Sequence, residues 1–234
     1  MKKQTINFSN RTWVVRDNEY HPTDTKEWYD ASAVKTDPSG TLVLKTHYNP
    51  REFYPANEKP ITINTGSGRI YCEDKFSYGK FEALIKLPTG KELWPAFWMW
   101  GWDAWPPEID ILEAYSNKKG NYMKFNWSPL SIWNVETNVH YKVGGENRSI
   151  GGKRHWFGLK NPANNFLKYR LEWSPALIRI YYDGIFVRGI RDAKILEKIN
   201  GHKMRVVLNN SVLNGIKHSP DSEMYVKYFK YEPY

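Results

Sequence analysis

The chain has 234 residues, enough for one well-buried domain, and its 41% hydrophobic and 25% charged residues are ordinary for a globular protein. The formal charge of +9 would suit an anionic partner, but the cations are scattered and no nucleic-acid recognition motif accompanies them, so a nucleic-acid partner is not expected. Cys72 is the one cysteine, which excludes an intrachain disulfide and a Cys-based zinc site; between Tyr71 and Glu73 it reads as a packed small side chain and not a nucleophile.

Along the chain, Lys2 and Lys3 lead into Gln-Thr-Ile-Asn and not into an apolar run, so no signal peptide is visible. Asp37-Pro38-Ser39-Gly40 predicts a turn and Thr41 to Thr46 a strand. Gly79 to Leu87 alternates apolar and polar until Pro88, as a half-buried strand does. Leu93 to Trp102 is the most apolar stretch but is too short to span a bilayer, so no membrane partner is expected. Phe166 to Trp173, Ile178 to Tyr182, Arg205 to Leu208 and Met224 to Tyr231 also have strand character. Asp183-Gly184 between two β-rich runs predicts a hairpin. Asp192 to Ile199 is the one helix candidate. With no linker, repeat or low-complexity tract, residues 1–234 read as a single domain. The pattern predicts an all-β sandwich or jelly roll.

Acidic residues interrupt the apolar, β-prone run Glu108-Ile109-Asp110-Ile111-Leu112-Glu113. Strand side chains alternate between faces, so Glu108 and Asp110 share one face and Ile109 and Ile111 the other. Glu113 lies an odd three residues beyond Asp110 and would fall among the isoleucines, where an unpaired carboxylate costs several kcal/mol. A β-bulge near Ile111-Leu112 removes the conflict by shifting the alternation one residue. Three carboxyls on one face cannot all ionise easily, so at least one pKa must rise. One ionised and one protonated carboxyl is what a glycosidase needs, and a separation of about 5–5.5 Å between them implies retention of configuration.

These residues resemble family 16 of the glycoside hydrolases, whose signature is Glu-x-Asp-x-(x)-Glu on a strand. The longer, bulged form here is that of laminarinase-, agarase- and carrageenase-type members. Ser67-Gly68-Arg69-Ile70, Tyr78 to Ala83, Leu93 to Trp98, Val139-His140, Tyr169 to Pro175 and Tyr182-Asp183-Gly184 follow in family order, from about residue 40 to the end. The resemblance implies a concanavalin-like jelly roll of two antiparallel sheets, the concave one forming an open cleft. It implies Glu108 as nucleophile, Glu113 as general acid/base and Asp110 as the group that tunes them. Trp94 matches a family tryptophan near the sugar at the cleaved bond, Trp105 the one just before the motif, and His140 a histidine close to the acid/base, with a satisfied structural histidine as the other reading; Arg69 and Trp98 are weaker substrate-binding candidates, Trp98 with a core reading beside it. Trp127 and Trp133, with Trp102, are further candidates for stacking sugars, with loop packing as the other reading.

Two departures stand out. Pro107 replaces the glycine that usually precedes the first catalytic glutamate. Many members carry calcium through an Asp of the final strand, where this chain has Lys227, and an ammonium cannot ligate a hard cation. The expectation is therefore no cofactor and no metal. The leading function is endo-hydrolysis of a β-1,3- or mixed-linked β-1,3-1,4-glucan, outside the cell and by a monomer. A β-galactan, sulfated or not, such as agar, porphyran or carrageenan is the alternative substrate, and a non-catalytic, lectin-like sugar-binding module the alternative class.

Overall fold

The computed structural model describes residues 3–21, 24–56, 58–127, 130–152, 155–158, 160–213 and 221–234. Two large sheets face each other. The first runs, in spatial order, Thr5–Phe8, Arg11–Val15, Arg69–Cys72, Met204–Val212, Leu93–Gly101, Glu108–Ala114, Val135–Val143 and Glu146–Ser149. The second runs Ile185–Ile190, Leu177–Tyr182, Leu167–Ser174, Gly79–Lys86, Ser222–Pro233, Leu42–Phe53, Ile61–Ser67, Asp24–Tyr29 and Glu19–His21, with Val34–Thr36 on the flank of Leu42–Phe53. This is the sandwich the sequence predicts, with two additions. The pairing of Asp24–Tyr29 with Ile61–Ser67 is parallel, and Met123–Trp127, Leu130–Trp133 and His155–Gly158 form a small third sheet.

The alternation read from the sequence is the alternation of burial. Gly79–Lys86 and Leu167–Ser174 both bury every second residue, because one face of each strand meets the opposite sheet and the other meets water. Phe81, Ile85, Leu171 and Trp173 of the second sheet and Phe97, Met99, Ile109 and Ile111 of the first are fully buried between the layers. Each such side chain contributes about 1.5–3 kcal/mol by leaving water. The Asp183-Gly184 hairpin forms with φ of 49° and 85°, the left-handed pair that a type I′ turn demands. The predicted helix is the single turn Ala193–Glu197, capped by the Asp192 side chain accepting from the Lys194 amide. Cys72 is buried, and burial pushes its thiol up to about 11, so it stays protonated and inert near neutral pH.

Candidate active site

The bulge is present. On one side, Glu108, Asp110 and Glu113 lie opposite Trp100, Trp98 and Ala96; on the other, opposite His140, Asn138 and Glu136. From Asp110 to Glu113 this strand advances three residues while its partner advances two, from Asn138 to Glu136. Against Leu93–Gly101 the slip falls between Phe97 and Trp98, opposite Leu112 and Asp110. Ile111 is the extra residue against Leu93–Gly101, and Ile111 and Leu112 together stand opposite Thr137 on the other side. Ile111 and Leu112 are consecutive yet both fully buried, and Glu113 returns to the face of Glu108 and Asp110.

All three carboxyls line one cleft of about 380 Å³, together with Trp94, Trp98, Arg69, Tyr29 and Asn209. Trp105 Nε1 donates to Glu108 Oε2 at 2.9 Å and Trp94 Nε1 to Glu113 Oε1 at 3.1 Å. Each glutamate is thus tied to its own indole. His140 Nε2 lies 3.5 Å from Glu108 Oε1, 3.4 Å from Asp110 Oδ2 and 3.1 Å from Asn138 Nδ2. Trp98 Nε1 donates to Asn209 Oδ1 at 2.7 Å. The Arg69 guanidinium stacks over Trp98 and Tyr29, 4.9 and 4.8 Å from their ring centroids, which stiffens a cationic arm of the cleft beside the acidic centre.

The electrostatics follow from burial and crowding. Loss of water, and then the Glu113 charge, drives the Asp110 carboxyl well above the ordinary range; its contact with Glu108 and the Arg188 guanidinium pull the other way without prevailing. Burial first, then the Asp110 charge, pushes Glu108 up to about 8, against the pull of His140 and the Trp105 N–H. Burial raises Glu113 as well, while hydrogen bonds from Tyr115 and Trp94 hold it back. Asp110 is the most enclosed of the three, and its Oδ2 has no hydrogen-bond partner among the described residues. A single proton resting on Asp110 removes one cause of the Glu108 shift and makes Asp110 a donor to Glu108.

Glu108, Asp110 and His140 also place one ligand atom each within 4.8 Å of one another. In the final strand, the Lys227 ammonium lies 4.4 Å from the Phe166 ring centroid and Lys86 5.6 Å from the same ring. Two ammonium groups around one ring offer a divalent cation no lone pair and repel it, so these residues do not fit a calcium ion.

The structure thus brings Glu108, Asp110, Glu113, Trp94, Trp98 and Arg69 together in the cleft and sets Trp105 and His140 against its carboxyls. Trp133 is a correction: it is 3% exposed and packs in the core, so it offers no face to a sugar. The Trp127 side chain lies outside the described residues. Sequence reasoning missed Asn209, Tyr29, Tyr115 and Asn138. Asn209 had a signal, a polar residue continuing the apolar run Val206-Val207-Leu208; the others had none.

The sequence profile of glycosyl hydrolases family 16 matches residues 21–230. The chain is 34% identical over 131 residues to a glucan endo-1,3-beta-glucosidase A1 of Niallia circulans, an alignment covering 51% of this chain and 17% of that protein. It is 30% identical over 123 residues to a beta-1,3-glucan-binding protein of Penaeus monodon, covering 47% of this chain and 30% of that protein. The chain therefore spans less than a third of either relative. The laminarinase catalytic domain from Thermotoga maritima superposes with a TM-score of 0.64 at 23% identity, over 89% of this chain and 83% of that one, a likeness of fold.

Proposed function

The chain belongs to glycosyl hydrolase family 16, and on that footing we propose that it is a retaining endo-β-glycosidase acting on a β-1,3- or mixed-linked β-1,3-1,4-glucan. The observation that carries this reading is the bulged strand, which sets three buried carboxyls along one cleft walled by tryptophan.

The proposed chemistry uses only groups of this chain and water. Ionised Glu108, held by the Trp105 N–H, attacks the anomeric carbon and forms a covalent ester. Glu113, kept protonated by burial, gives its proton to the departing glycosidic oxygen as that bond breaks. Glu113, now ionised, takes a proton from water; the water oxygen attacks the anomeric carbon and Glu108 leaves. Two inversions give retention. Asp110 holds its proton towards Glu108 at rest, so that the nucleophile is charged without a second charge beside it. Trp94 and Trp98 offer ring faces to the sugars.

A glucan is favoured because both curated relatives above carry β-1,3-glucan in their names. The sulfated β-galactan reading is supported by the +9 charge and by Arg69 in the cleft. The glucan-binding name of one relative favours a second reading, a module that holds a glucan without cleaving it. The deciding experiment measures reducing ends released from laminarin, lichenan, agarose and carrageenan at low and high salt, with the product anomer followed by proton NMR. Release of β-anomer from laminarin or lichenan is the expected result. Salt-sensitive action confined to carrageenan would overturn the glucan assignment, and laminarin binding without turnover would favour the non-catalytic module. Catalysis without added calcium and action outside the cell are part of the same proposal; among the described residues no helix is long and apolar enough to cross a membrane.

A further inference from the structure

The bulge that returns Glu113 to the cleft leaves the ladder open where Ile111 has no partner. A buried carbonyl at such a gap needs a donor from elsewhere. That donor comes through the core from the opposite sheet. Tyr182, at the end of Leu177–Tyr182 and 1% exposed, donates from its hydroxyl to the Ile111 carbonyl at 2.7 Å and lies 3.0 Å from the Glu136 carbonyl. Ile111 is the inserted residue and Glu136 is the residue paired with Glu113. One shared hydroxyl proton therefore spans the two strands at the point where their register slips.

A neighbouring group of the same sheet grips the next residue. Arg188 Nε donates to Thr137 Oγ1 at 2.6 Å, and its Nη2 donates to the Thr137 carbonyl at 2.9 Å and to the Gly151 carbonyl at 2.7 Å. Thr137 lies between Glu136 and Asn138, whose partners across the ladder are Glu113 and Asp110. The back of the catalytic strand pair is thus held by polar groups that cross an otherwise apolar core.

We propose that Tyr182 is a positioning residue for the reaction: its hydroxyl stabilises the bulge and so keeps the Glu113 carboxyl in the cleft against Trp94 and Tyr115. The kinetic part of this inference rests on the glycosidase reading; the structural part does not. Without the hydroxyl, the open carbonyls favour a regular ladder, and a regular ladder sends residue 113 towards the core.

The molecule supplies its own control. Tyr169 is fully buried with its ring 4.9 Å from that of Tyr182, and its hydroxyl has no hydrogen-bond partner among the described residues. Tyr182→Phe and Tyr169→Phe each remove one oxygen from the same part of the core. In the test, kcat and KM are measured for wild type and both variants on laminarin, and the Glu113 carboxyl is titrated by carbon-13 NMR. Tyr182→Phe should lower kcat about tenfold or more with KM within about twofold. It should also move the Glu113 midpoint upwards, because the carboxyl leaves the Trp94 and Tyr115 donors. Tyr169→Phe should match wild type in both. Wild-type kcat and an unmoved Glu113 midpoint in Tyr182→Phe would overturn the proposal, as would an equal loss in Tyr169→Phe, which would assign the effect to packing. Should Tyr182→Phe fail to fold, the wild-type hydroxyl proton decides: a resolved signal with contacts to Ile111 and Glu136 supports the bridge, and its absence overturns it. If wild type turns over no polysaccharide, the glycosidase reading fails while the titration still tests the bridge.

Discussion

Two aspartates in this molecule are almost equally buried, Asp30 at 4% exposed and Asp110 at 3%, yet their carboxyls shift in opposite directions. Burial pushes Asp30 up, but Ser32 through both Oγ and its amide, with Asn49 and His47, donates to it at 2.7–2.8 Å, and the net shift is downwards. Burial pushes Asp110 up too, the Glu113 charge adds to it, and the contacts with Glu108 and Arg188 do not offset them, so the shift stays upwards. A carboxyl's charge follows from how deeply it is enclosed and from its donors together: Asp110 lies deeper and is short of donors, whereas Asp30 is surrounded by them. The Asp30 corner is an anchor joining Asp24–Tyr29 to Leu42–Phe53. The Asp110 centre is short of donors, and a carboxyl raised by burial is suited to take up and release a proton.

The largest effects test the Asp110 side. Glu108→Gln and Glu113→Gln should each cut turnover on laminarin by about 10³-fold or more while leaving the melting temperature at pH 5 unchanged. Asp110→Asn keeps the shape but fixes the group neutral and should lower kcat by about 10- to 100-fold. It also has a signature in stability. A carboxyl raised in the fold contributes fully below its ordinary pKa, and that contribution is lost as pH rises through the folded value. Melting curves should therefore show Asp110→Asn gaining on wild type from pH 5 to pH 9; a constant difference would break the comparison.

Asp30 should behave in the opposite way. Its lowered pKa contributes stability above the unfolded value, lost as pH falls through the folded one. Asp30→Asn should cost about 1.5–3 kcal/mol at pH 7, with the difference shrinking as pH falls below the ordinary carboxyl range, and leave kcat per folded molecule unchanged. Trp105→Phe removes the N–H donated to Glu108 and shrinks the ring beside His140, and should lower kcat less than tenfold. The smallest effect is that of calcium: chelation by EDTA should leave the melting temperature and laminarin turnover unmoved, given Lys227 and Lys86 around Phe166.

The carboxyl-bearing strand is legible because two periodicities collide in it. A period of two carries Glu108 and Asp110 to one face but leaves Glu113 on the wrong one, and the extra residue that resolves this can be located to Ile111-Leu112 from chemistry alone. Strands with one wet face were legible for the same reason. The sequence pattern marks Leu42–Phe53 only as far as Thr46, because the strand continues through a register slip between Tyr48 and Arg51 that contains Pro50. The N-terminal strands before Thr36 join both sheets but lack alternation long enough to register. Trp133 was misassigned because an indole suits a core as well as a sugar. Tyr182 was invisible as a prop, since its partners are carbonyls on strands of the opposite sheet and no local pattern marks such a contact.

The most direct test of the proposed chemistry is to trap the enzyme with a 2-deoxy-2-fluoro-β-laminaribioside bearing a good leaving group and to map the label by peptide mass spectrometry. The account predicts one glycosyl group per chain, as an ester on Glu108. A label on Glu113 or Asp110, or turnover with inverted anomer and no label at all, would contradict it.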